Sequence, residues 1–155
     1  MKKFRHFVVT MKIMTCILAI EANKLDDIVV VNESVLSSYG SGIYISVGEE
    51  IKLIDLLYGL MLRSGNDAAL MIADYVGGDV DNFVLMMNKK AKEVGMKNTK
   101  FVNPSGLDKN GIGNYSTSYD MALLTRYAMQ NDIYREIVKR SEERRVGKEC
   151  RSRWS

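Results

Sequence analysis

Leu53, Leu56, Leu57, Leu60 and Met61 fall at i, i+3, i+4, i+7 and i+8, one apolar stripe along an amphipathic helix. That stripe constrains the fold more than any other feature, because it must be covered by further apolar surface. The chain downstream supplies helices to cover it. One is predicted over about 67–76, closed by Gly77-Gly78, and another over 80–94, carrying Val80, Phe83, Val84, Met87, Ala91 and Val94, with Gly95 as its stop. A further helix over about 119–129 carries Met121, Leu124, Thr125 and Ala128, with Ser118 as its predicted cap, and a last one opens at Asp132 and runs to about Lys139. A single proline among 155 residues leaves these helices unbroken, and 46% hydrophobic with 26% charged residues suits one globular domain rather than a disordered or collagen-like chain.

Upstream of the stripe the pattern is different. Residues 25–48 are rich in β-branched and turn residues: Ile28-Val29-Val30-Val31 reads as a short strand, Tyr39-Gly40-Ser41-Gly42 as a turn, and the alternation of Ile43, Ile45 and Val47 as a half-exposed strand. Residues 97–117 read as loop, with Asn103-Pro104-Ser105-Gly106 and Lys109-Asn110-Gly111 as turns. The first 22 residues admit two readings. Lys2, Lys3 and Arg5 before the apolar run from Phe7 to Ile20 look like a secretory signal, against which stand Lys12 inside that run and the lack of a small-x-small cleavage site. The other reading is a buried helix over about 9–22 with Ile13, Ile17 and Ile20 on one face.

Net charge is +3, from 22 Lys and Arg against 19 Asp and Glu. Residues 140–155 hold six of the bases and three of the acids, so the remaining body carries sixteen of each and is neutral. A basic tail on a neutral body would suit nucleic acid. The sixteen residues from Arg140 to Ser155, however, have no apolar period, and they resemble the translation of a common short-read sequencing adapter. They are therefore read as a non-native tail and no nucleic-acid partner is expected. Two Cys (Cys16 and Cys150) make no disulfide framework, and with one His they make no tetrahedral zinc site without carboxylates, so no metal or cofactor is expected.

Ser64-Gly65-Asn66 sits where one predicted helix hands over to the next. By itself the tripeptide suits helix capping, and Lys12 by itself suits a helix lysine with a buried stem and a solvated amine. Their setting says more. Lys12-Ile13-Met14-Thr15 opens a helix, Ser64-Gly65-Asn66 follows 52 residues later behind the leucine stripe, and Asp67-Ala68-Ala69 and Asn103-Pro104-Ser105-Gly106-Leu107-Asp108 come after it. In these residues, and continuously from about Thr10 to Val138, the chain resembles the D-alanyl-D-alanine carboxypeptidases, low-molecular-weight penicillin-binding proteins of serine peptidase family S11.

The resemblance implies an α+β fold of the serine β-lactamase/transpeptidase type, a five-stranded antiparallel sheet flanked by helices. This chain is expected to hold mostly its helical part with one or two short strands, truncated at both ends: an atypical 1–9, a partial domain over 10–139 and the non-native 140–155. It implies three motifs, S-x-x-K, S-x-N and K-T-G. Carried over, Lys12 is the proton acceptor, Ser64 the proton relay and Asn66 the positioning residue. The nucleophile position, three before Lys12, is occupied by Val9, which has no hydroxyl, and Thr10 is one residue out of register. No Lys-Thr-Gly occurs in the chain. The implied substrate is a peptidoglycan stem peptide ending in D-Ala-D-Ala, with β-lactams as acylating mimics, at an extracytoplasmic location. The chain as written is expected to be inactive. The alternatives are a non-catalytic relative that binds cell-wall peptides, or a small helical binding protein with a basic tail. Thr99 and Ser105 are read as turn residues, Cys16 as a buried small side chain, and His6 has no assigned role.

Overall fold

The structure, a computed structural model, describes residues 10–143. The readings of Val9, of the remainder of 1–9 and of the tail beyond Glu143 lie outside the described residues. The elements run α1 (Lys12–Glu21), β1 (Ile28–Val30), a 3-10 turn (Glu33–Ser37), β2 (Glu50–Lys52), α2 (Leu53–Arg63), α3 (Asn66–Gly77), α4 (Val80–Val94), α5 (Ser118–Ala128) and α6 (Asp132–Glu143). The helices form around α1, which packs against every other helix. Residues Lys12 to Ile20 are consequently all buried, and the expectation of one apolar face at Ile13, Ile17 and Ile20 is too narrow. A helix surrounded on all sides loses its amphipathic period, because no face is left for water. Its polar end is Glu21, whose carboxylate meets Lys90 of α4 at 2.7 Å and the Tyr127 hydroxyl of α5.

The leucine stripe of α2 behaves as its spacing predicts: Leu53, Leu56, Leu57 and Leu60 are fully buried. Helix α4 has the predicted bounds. Asp79 caps it by accepting from Asn82 N at 2.6 Å, and Gly95, at φ +92°, ends it in the left-handed region that favours glycine. For α5 the cap is Thr117 and not Ser118: the Thr117 hydroxyl accepts from Asp120 N at 3.2 Å. Two adjacent hydroxyl residues compete for that position, and the one with extended backbone takes it. Helix α6 continues past Lys139 through Arg140 to Glu143.

The sheet has two antiparallel strands, with Ile28 opposite Lys52, Val29 opposite Ile51 and Val30 opposite Glu50. Val29 faces the core, while Ile28 and Val30 face outward. The alternating 43–47 segment is not a strand. Its amides point at a carboxylate instead of a neighbouring strand: Ile43 N and Tyr44 N donate to Asp67 at 3.0 and 2.7 Å, and Tyr44 takes a left-handed φ of +59° to permit it. The alternation in the sequence reports only that Ile43 and Ile45 pack against the core. No helix among the described residues is long and apolar enough to cross a membrane.

Candidate active site

Lys12 opens α1 and is 1% exposed. Its amine donates to the backbone carbonyl of Ser105 at 2.8 Å. The solvated amine that Lys12 alone would suggest is therefore not what the fold provides. Burial, with no charged partner among the described residues, pushes the Lys12 amine down to about 8. One turn further along the same face, the Thr15 hydroxyl donates to the Pro104 carbonyl at 2.7 Å.

The loop that supplies these carbonyls is braced from its other side. Asn103 accepts Gly106 N at 2.6 Å and donates to Leu107 O at 2.6 Å, closing the turn on itself. Asn114, 1% exposed, accepts from Val102 N at 2.6 Å and donates to Asn103 O at 3.0 Å. Asn88 of α4 ties the start of the loop by bonding both the amide and the carbonyl of Phe101. These carboxamides substitute for a strand ladder in a segment that has no regular structure.

Ser64-Gly65-Asn66 forms the junction between α2 and α3. Ser64 ends α2 in the left-handed region (φ +53°, ψ +38°), a strained state for a residue with a side chain and worth about 1–3 kcal/mol. The tripeptide does take cap positions, Ser64 closing α2 and Gly65 opening α3, but no side chain caps the start of α3. Asn66 points away from its own helix instead. Its Nδ2 donates to Tyr39 O at 2.9 Å, its backbone N to Ser41 O at 2.8 Å, and its Oδ1 is buried with no hydrogen-bond partner. The 39–45 segment can lie this close because Gly40, at φ +80°, has no Cβ, which would otherwise stand 3.0 Å from Asn66 Nδ2.

Asn66 and Ser105 line one cleft of about 170 Å³, together with Tyr39, Asn103, Leu107 and Lys109. The Lys12 amine is bonded to the carbonyl of Ser105. Of the three candidate residues, Asn66 lines the cleft directly, and Lys12 is tied to it through its bond to Ser105, which also lines it. Ser64 is two residues away at the turn and is not among the residues that line the cleft. An amine of depressed basicity can take a proton, and a carboxamide with a spare acceptor can orient an N–H donor, which are two requirements of acyl transfer. Among the described residues no group of three His, Cys, Asp or Glu side chains could hold a metal ion. Reading the sequence misses the Ser105 carbonyl and the Asp67 carboxylate. The first is a backbone atom with no residue signature, and the second resembles any first-turn acid of a helix.

A family model described as D-alanyl-D-alanine carboxypeptidase matches residues 5–154. D-alanyl-D-alanine carboxypeptidase DacF of Bacillus subtilis is 41% identical over 133 residues, covering 83% of this chain and 33% of the relative. DacC of Escherichia coli is 36% identical over 126 residues, covering 77% of this chain and 31% of the relative. Among solved structures, a D-alanyl-D-alanine carboxypeptidase from Mycobacterium tuberculosis superposes with a TM-score of 0.82 at 31% identity, over 88% of this chain and 51% of that one. Penicillin binding protein 6B from Escherichia coli gives 0.80 at 30% identity, over 88% and 46%. The chain spans about a third of the length of these two curated relatives.

Proposed function

The chain belongs to the D-alanyl-D-alanine carboxypeptidase family of serine peptidases, and from that membership we propose that it carries the proton-handling side of a site that removes the terminal D-alanine from peptidoglycan stem pentapeptides. The observation that carries the reading is the Lys12 amine, held off water on the Ser105 carbonyl and titrating near 8. Such an amine is neutral in a useful fraction of molecules near neutral pH and basic enough to take a hydroxyl proton.

In the proposed reaction a serine oxygen attacks the carbonyl carbon of the penultimate D-alanine while Lys12 takes its proton. The C–N bond then breaks, and the leaving D-alanine nitrogen collects a proton relayed by Ser64. Water hydrolyses the resulting ester. Asn66 orients Lys12 and the substrate amide, and its unpartnered Oδ1 is the acceptor free to do so. β-Lactams enter as acylating mimics of the same dipeptide. The substrate places the reaction outside the cytoplasm.

Val9 stands three residues before Lys12, where this scheme needs the serine, and it offers no oxygen to acylate. The 155-residue chain incubated with fluorescent penicillin is therefore expected to give no covalent band. A hydroxylamine-labile band on it would overturn the reading. Val9 also favours a second reading, a relative that holds cell-wall peptides without cleaving them. In that case diacetyl-L-Lys-D-Ala-D-Ala shifts the amide resonances of Asn66 and Ser105 while no D-alanine is released.

A further inference from the structure

Three consecutive carbonyls of one loop are each taken by a different side chain. Asn103 O accepts from Asn114 Nδ2 at 3.0 Å, Pro104 O from Thr15 Oγ1 at 2.7 Å, and Ser105 O from Lys12 Nζ at 2.8 Å. We propose that Thr15 is a positioning residue for Lys12: by tethering the Pro104 carbonyl to α1, it sets where the adjoining Ser105 carbonyl meets the Lys12 amine.

A threonine inside a helix ordinarily turns its hydroxyl back to a carbonyl on its own helix, as Thr125 does to Met121 O at 2.8 Å. Thr15 reaches 89 residues along the chain instead. It is fully buried, so a hydroxyl there costs free energy unless it is bonded, and the bond it makes is to the loop. Lys12 and Thr15 lie three apart on α1, and Pro104 and Ser105 are neighbours, so the two bonds form a short rigid frame. Proline adds a fixed φ at the tethered residue. With the outer side of the loop held by Asn103 and Asn114, the Ser105 carbonyl has little freedom except what Thr15 removes.

Among the described residues, no titratable or charged group on the elements packed against α1 is bonded to Lys12. Asp67 of α3 is bonded by loop amides, Asp120 of α5 by Asn98 N and Thr99, and Lys90 of α4 by Glu21. Tyr58 of α2 lies under Arg140, and burial pushes Tyr134 of α6 and Cys16 of α1 up to about 12. Asp55 and Arg63 of α2 and Arg135 of α6 form no bond to Lys12, and Lys109 lies on the cleft. The state of Lys12 therefore depends on burial and on its one carbonyl.

The test is the titration of Lys12, read from its 13Cε and 15Nζ resonances in the full chain. In Thr15→Val the loop loosens, water reaches the amine, and the midpoint moves up by about one pH unit. Thr15→Ser keeps the hydroxyl and the parent midpoint, and Thr125→Val leaves the midpoint unmoved. A folded Thr15→Val chain that titrates as the parent does overturns the proposal. If Thr15→Val does not fold, the parent decides: the Thr15 13Cβ and Pro104 carbonyl resonances must follow the Lys12 midpoint, and flat profiles overturn it. The proposal draws its functional meaning from Lys12 as proton acceptor. The titration and penicillin labelling can fail independently, so the two ideas are separable.

Discussion

Asp67→Asn is expected to lower the stability of the chain by about 3 kcal/mol. The Asp67 carboxylate is 5% exposed and accepts from Ile43 N, Tyr44 N and Ala68 N at 3.0, 2.7 and 2.8 Å. Asparagine keeps the shape but replaces one acceptor with an NH2 group facing amide donors. At least one amide then loses its partner, and the charge that strengthens the others, in the first turn of α3, is gone. The effect reaches the site, because the same 39–45 segment carries Tyr39 O, the partner of Asn66 Nδ2. Urea unfolding should show a lower midpoint with an unchanged slope. A loss below about 1 kcal/mol would mean that the loop is held by its apolar contacts and not by the carboxylate.

Lys12→Met is expected to stabilise the chain near neutral pH, and by an amount that disappears at high pH. The amine titrates at about 8 in the folded chain, against 10.5 for a lysine in water. Between those values the unfolded chain holds a proton that the folded chain does not, so stability rises with pH across the window. Below about pH 8 both states are protonated and the folded chain bears the whole cost of the buried charge, about 3 kcal/mol. Methionine fills similar space without that cost but leaves Ser105 O unpartnered, which gives back about 1 kcal/mol. A net gain of about 2 kcal/mol at pH 7 should shrink as pH rises from 8 to 10.5. Thermal unfolding of both chains across that range measures it. A pH-independent difference, or a loss at pH 7, would show that Lys12 is not held in a desolvated state. On the proposed role that cost serves the chemistry: an amine that stays protonated near neutral pH has no lone pair free to take a proton, and burial frees one.

Helices whose period is local were legible in the sequence. The spacing from Leu53 to Met61 and from Val80 to Val94 depends only on neighbours within each helix, and Gly95 marks its own stop. Helix α1 was harder, because burial on every side erases the period, and its apolar run also has features of a signal segment, against which Lys12 stands. Alternation over 43–47 misled because it records which side chains face the core, while the backbone amides went to Asp67. Lys12, Ser64 and Asn66 were singled out through resemblance and not through local pattern: each alone suits an ordinary helix lysine or cap. What placed Lys12 beside the cleft is a backbone carbonyl 93 residues away, which no spacing in the sequence can announce.

The role proposed for Lys12 is to take the proton of a serine three residues before it, where this chain has Val9. The most direct test is fluorescent-penicillin labelling of Val9→Ser beside Val9→Ser with Lys12→Met, with peptide mapping of the labelled site. A slow, hydroxylamine-labile ester is expected on residue 9 of the single variant, reduced by about 100-fold or more when Lys12 is also replaced. Absence of label on Val9→Ser, or label of equal rate with methionine at position 12, would contradict that role for Lys12.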